Sequence, residues 1–159
     1  MRGPYPLGSG LLAQVPHWGV SCHEIEQRFD SSVSLAPRAS DVASDETHET
    51  LDVRTQMASA ALARQVARHF KALWTVATPQ GERSYAAKFA DADRTLDFTQ
   101  PVARNLRIVR AFGRLECLAV VNDVRFHFTR AAGWLARDAQ RGARSGRART
   151  CVGHGGRLP

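Results

Sequence analysis

The stretch PVARNLRIVRAFGRLECLAVV, residues 101–121, decides the expected fold. Placed at about 100° per residue, it separates into two faces. Val102, Leu106, Ile108, Val109, Phe112, Leu115 and Val120 fall within an arc of about 180°. Arg104, Arg107, Arg110 and Arg114 occupy a separate arc about 120° wide. Only Asn105 and Glu116 intrude on the apolar side. The pattern predicts one helix with a buried face and an arginine stripe. Pro101 suits its first turn, where no internal N–H is needed.

The end of that stretch reads two ways. Residues 118–121, the pair Asn122-Asp123 and residues 124–128 alternate like strands around a two-residue turn. Val121, Val124, Phe128, Ala131 and Leu135 also recur at helical spacing. Helix is preferred here, with a short hairpin near 118–128 as the alternative.

Working backwards, residues 50–74 predict a second long helix. Leu62, Val66, Phe70, Leu73 and Trp74 share an arc of about 120°, with Arg64, Arg68 and Lys71 opposite. Glu46, Glu49 and Asp52 suit a helix N-terminus, and Thr47 or Thr50 could cap it. Thr78-Pro79-Gln80-Gly81 fits a type I turn. A weaker helix is expected from Ser84 to Asp97, with Tyr85, Phe89, Ala92 and Leu96 on its apolar face.

These elements predict an all-α domain of three or four helices over residues 48–140. A flexible acidic leader, 1–47, would precede it, and a disordered Arg/Gly-rich tail, 141–159, would follow. Helices 50–74 and 101–121 would pack antiparallel, with Phe70, Leu73, Trp74, Leu106, Val109 and Phe112 at the contact.

With 159 residues there is room for one ordinary domain, and 43% hydrophobic residues suffice for a core. The net charge is +7, and 20 of the 22 basic residues are arginine. Residues 1–54 hold four basic groups against eight acidic, residues 55–136 twelve against six, and residues 137–159 six against one. Such a balance favours a polyanionic partner, although the arginine bias of a GC-rich genome competes as an explanation.

The expected function is therefore non-enzymatic association with nucleic acid, through the phosphate backbone and with low sequence specificity. The candidate contacts are Arg64, Arg68, Lys71, Arg104, Arg107, Arg110 and Arg114 on helices, and Arg141, Arg144, Arg147 and Arg149 in the tail. The rival expectation is a helical interaction or assembly module, completed by a second copy or by another protein. A helix-turn-helix over Tyr85 to Gln100 is disfavoured, because its second helix carries only Arg94 and meets Pro101 almost at once.

Other chemistry is sparse. Cys151 and His154 are spaced C-x-x-H, but adjacent Cys22-His23, 128 residues away, makes a poor second chelating pair. Asp91, Asp93 and Asp97 lack a calcium-loop glycine. Cys117, beside Glu116, reads as buried and inert. No metal or cofactor is expected, and no nucleophile–base pair is visible. Three cysteines at wide spacings suggest a reducing cytoplasm. Neither a secretory signal nor an apolar run long enough to cross a membrane is evident.

Overall fold

The computed structural model describes residues 3–27, 32–81, 85–113 and 117–131. The chain divides into two compact units, Met1–Lys88 and Phe89–Pro159. Helix and antiparallel sheet both contribute, which corrects the all-α expectation.

In the first unit, α1 (Pro6–Leu12) leads into β1 (His17–His23), β2 (Val33–Asp41), α2 (His48–Thr75) and the short β3 (Thr78–Pro79). The sheet order is β1-β2-β3, all antiparallel. β1 and β2 pair from His17 opposite Asp41 to His23 opposite Ser34, with an irregularity between Cys22 and His23. Residues 17–41, placed by the sequence in a flexible leader, thus hold two strands. The cause is visible in β1: Trp18, Val20 and Cys22 alternate inward against exposed His17, Gly19, Ser21 and His23. Gly19 has no substitute here, because a Cβ would lie 2.3 Å from the Arg38 carbonyl oxygen.

Helix α2 starts where its caps dictate. The Thr47 hydroxyl accepts from the Thr50 N–H, and the Thr50 hydroxyl accepts from the Thr47 N–H, a reciprocal cap. Leu51 and Leu62 are its buried residues, 2% and 4% exposed. They face an apolar layer that includes Leu35 and Ala36 of β2 and Leu11 of α1. On α1, Gly10 lies under the Trp18 ring, so close that a Cβ would come within 2.7 Å of it. Beyond Leu62 the expected buried arc fails. His69 leaves helical geometry (φ −123°, ψ 21°), and Phe70 and Trp74 stand 49% and 46% exposed. A wheel drawn with uniform turns does not hold across that break. The tetrad after the helix also departs from the expected turn, since Thr78 and Pro79 pair with Ser34 and Val33.

In the second unit, a 3-10 turn (Asp91–Arg94) stands where a helix over 84–97 was expected. Local hydrogen bonds compete there with helix. The Asp93 carboxylate accepts from the Ala90 N–H, and Arg94 donates to Asp91 at 2.6 Å. That Arg94 bond and charge hold the Asp91 carboxyl below its usual value.

Helix α3 (Val102–Phe112) follows, then β4 (Cys117–Val121) and β5 (Val124–Phe128). The predicted helix 101–121 therefore stops at Phe112, and the hairpin alternative is the one that forms. Asn122 and Asp123, both at positive φ (50° and 63°), make its two-residue turn. Gly113 permits the change of direction, because a Cβ would come within 2.4 Å of the Thr129 carbonyl oxygen.

The core of this unit joins Leu96, Ile108, Val109, Phe112, Cys117 and Leu118, with Phe89 set edge-on to Phe112 at 4.7 Å. Asn105, the expected intruder on the apolar face, exchanges two hydrogen bonds with the Asp97 backbone. Phe112 and Val109 are buried as expected, whereas Phe70 and Trp74 are not. The expected contact of residues 50–74 with 101–121 is accordingly replaced by a core within each unit.

Leu62→Ala should lower unfolding free energy by about 2–5 kcal/mol, whereas Val53→Ala, on the exposed side of α2, should change it by no more than about 0.5 kcal/mol. Urea melts of the two variants measure the difference. Equal losses would mean that α2 buries a different face.

Candidate functional site

The chemistry-bearing side chains of the described residues gather at the two ends of the β1–β2 pair. Because strand side chains alternate, His17 and His23 emerge on the same exposed face of β1, about 20 Å apart at 3.3 Å per residue. At one end His17 Nδ1 lies 2.9 Å from Asp41 Oδ1, its partner across the ladder. Both side chains are largely exposed, so the pair fastens the strand ends more than it stores Coulomb energy.

At the other end His23 Nδ1 lies 2.8 Å from the Glu24 carbonyl oxygen and 3.0 Å from Ser32 Oγ. A carbonyl can only accept, so Nδ1 carries the proton and the lone pair sits on Nε2. Nδ1 therefore cannot take a proton from Ser32, itself 2% exposed. The two residues are not a nucleophile–base pair. What the geometry leaves is a single oriented base, His23 Nε2.

A third polar cluster ties β2 to α2. The Glu46 carboxylate is buried and accepts from Arg54 Nη1 and, at 3.4 Å, from the Ala43 N–H. Arg54 Nη2 also donates to the Asp41 carbonyl at 2.7 Å. Burial pushes the Glu46 carboxyl upward. The hydrogen bonds from Thr50, Ala43 and Arg54, together with the Arg54 charge, outweigh that push and leave it below its ordinary value. Every atom in this cluster is engaged in holding the fold.

The candidate contacts predicted from sequence are scattered. Arg64, Arg68 and Lys71 are exposed on α2 in the first unit. On α3 in the second, Arg104 is exposed, whereas Arg107 and Arg110 are half-buried, and Arg107 Nε is shielded from water without a hydrogen-bond partner among the described residues. Arg114, Arg141, Arg144, Arg147 and Arg149 lie outside the described residues, as does the expected tail. The single arginine stripe of residues 101–121 is thus divided between an exposed and a half-buried set.

Sequence reasoning passed over His17, His23, Ser32 and the Glu46–Arg54 pair. The only prior signal was Glu46 ahead of a helix cap. Cys117 matches its expected role: it is fully buried, and that burial pushes its thiol up to about 11. Among the described residues no group of three or more His, Cys, Asp or Glu could hold a metal ion. No described helix is long and apolar enough to cross a membrane.

No family model matches the chain. It is similar to the methionyl-tRNA formyltransferases of Roseobacter denitrificans and Halorhodospira halophila. The first is 29% identical over 109 residues, 69% of this chain and 36% of that enzyme. The second is 32% identical over 114 residues, again 69% of this chain and 36% of that enzyme. The chain thus spans about a third of the length of the curated relatives it matches.

Among solved structures it shares the fold of HypX from Aquifex aeolicus in complex with tetrahydrofolic acid. The TM-score is 0.74 at 18% identity, covering 84% of this chain and 24% of that one. It also shares the fold of the N-formyltransferase from Helicobacter canadensis, in complex with folinic acid and dTDP-3-aminofucose. There the TM-score is 0.63 at 12% identity, covering 84% of this chain and 50% of that one.

These proteins are enzymes, and their structures combine helix and sheet. The expectation of a non-enzymatic, all-α protein that associates with nucleic acid is overturned by both findings, and so is its rival, a self-associating helical module.

Glu46 gives a pH test. Its carboxyl is lowered in the fold, so its ionised form stabilises the fold fully above the ordinary value of 4.5, and that stabilisation is lost as pH falls through the lower folded value. In thermal melts across that acid range, Glu46→Gln should flatten the fall in stability that the parent protein shows. An unchanged acid limb would mean that Arg54 does not hold the carboxylate ionised.

Native alkylation gives a second test. Iodoacetamide at pH 8 should leave Cys117 unmodified until the protein is unfolded, as peptide mass mapping would show.

Proposed function

We propose that this chain is the framework portion of a formyl-transferring enzyme whose acceptor is the amine of an aminoacyl-tRNA. The observation that carries this reading is the sequence similarity to methionyl-tRNA formyltransferases along 69% of the chain.

Formyl transfer from a nitrogen donor to an amine has two requirements. A base must take the ammonium proton, and hydrogen-bond donors must face the oxygen of the tetrahedral intermediate. The described residues supply at most the first, at His23 Nε2, and tie no converging donors to it. They do not build a site for a tetrahydrofolate donor, and no step is routed through one. The reacting groups accordingly belong to polypeptide beyond the matched third, and this chain contributes the helix and sheet on which that polypeptide is mounted.

Reconstitution tests the reading. The chain is combined with the part of the Halorhodospira halophila enzyme that it does not match, in the presence of formyl-tetrahydrofolate and methionyl-tRNA. Formyl-methionyl-tRNA, read by mass spectrometry after hydrolysis, should accumulate with both polypeptides and with neither alone. Absence of product, in the face of a fully active intact enzyme, would defeat the proposal. A parallel reaction with dTDP-3-aminofucose examines the other acceptor class, raised by the fold shared with the Helicobacter protein. Product in that arm alone would replace the aminoacyl-tRNA by an amino-sugar nucleotide.

A further inference from the structure

The length of α2 is out of proportion to the sheet beneath it. Twenty-eight helical residues run about 42 Å at 1.5 Å each, whereas the nine residues of β2 span about 30 Å and the seven of β1 about 23 Å. Burial follows that limit, for Leu51 and Leu62 are the buried residues of α2 and none lies beyond Leu62. The remaining turns still carry apolar side chains. Val66 and Leu73 are half-buried, and Phe70 and Trp74 are 49% and 46% exposed with ring centroids 5.4 Å apart. Val76, just past the helix, is 67% exposed. Two touching aromatic rings in a row of aliphatic side chains form the kind of exposed patch that marks an interface.

We infer that this stripe is the seat of the polypeptide that completes a formyltransferase fold, whether continuous with this chain or separate from it; the inference rests on the function proposed above. Three observations select that occupant. First, the chain accounts for 36% of the length of its relatives, and for 24% and 50% of the two fold neighbours. The same fold is therefore set within much more polypeptide in each of them.

Second, the patch begins where the chain's own sheet can no longer reach. Third, Arg64, Arg68 and Lys71 are all exposed along the adjoining side of the same turns. A second copy pairing through the same stripe would set two rows of cations along one interface, which like-charge repulsion opposes. An occupant with carboxylates at its rim is favoured instead.

The test measures binding, without reference to activity. The full chain is co-expressed with the unmatched part of the Halorhodospira halophila enzyme, and affinity capture of the chain reads how much partner is retained. Phe70→Asp and Trp74→Asp should each reduce retention by about tenfold or more, the scale of losing an interface anchor. Val53→Asp, on the opposite exposed side of α2, should leave retention unchanged. Circular dichroism of the free variants should match the parent, because both rings already stand in water.

Retention indifferent to Phe70 and Trp74 would overturn the assignment of this face, as would no retention of a soluble partner or a partner that stays insoluble with the chain present. Sedimentation of the free chain as a dimer that Phe70→Asp dissociates would give the face to a second copy and equally overturn it. Retention without formyl transfer would keep the docking face and remove only the proposed activity.

Discussion

A helix can bury only the length that its partner covers, and the first unit is governed by that constraint. The N-terminal half of α2 lies over β1 and β2 and closes on Leu51 and Leu62. Its position along the sheet is set by the cluster at its start. Arg54 reaches the Glu46 carboxylate and the Asp41 carbonyl at once, joining the end of β2 to the first turns of α2. Removing one member of such a pair leaves a buried charge unsatisfied, which costs more than the pair itself contributes. The reciprocal Thr47–Thr50 cap then sets the first turn. Everything past Leu62 extends beyond this anchored region, and the exposed Phe70–Trp74 pair is the consequence.

The second unit solves a different problem with less material. Eleven residues of α3 bury Ile108, Val109, Ala111 and Phe112 against a two-stranded hairpin and the segment around Leu96. A lone hairpin is marginal in water. Here the Leu96 N–H donates to the Leu118 carbonyl at 2.7 Å, and Thr95 bridges Leu118 in parallel, so that β4 gains a neighbour on its second side. Gly113 and the Asn122-Asp123 turn provide the two tight reversals that let helix, strand and strand share one core.

Functionally, the arrangement is rich in support and poor in reacting groups. His17 and His23 each use Nδ1 to hold the hairpin, and Glu46 and Arg54 are spent on α2. Such economy fits a chain that matches a third of each relative, in which fold and chemistry need not reside in the same segment.

The sequence by itself determined the features that depend on neighbours close along the chain. It located the start of α2 at its threonine caps, the start of α3 at Pro101, the burial of Val109 and Phe112, and the inertness of Cys117. It also offered the Asn122-Asp123 reversal as one of two readings. Caps, first-turn prolines and short turns act over three or four residues, so their signals survive without knowledge of the fold.

Tertiary structure decided the rest. A helical wheel cannot reveal that α2 outruns its sheet or breaks geometry at His69, and so it assigned Phe70 and Trp74 to a core. It cannot show that β1 and β2 pair across a gap of nine residues, because strand pairing is made between segments distant in sequence. Nor could the spacing of Arg104, Arg107, Arg110 and Arg114 separate a solvated face from one half-buried beside a hairpin. Periodicity tells which residues share a side, and only the packed neighbours decide whether that side meets water or protein.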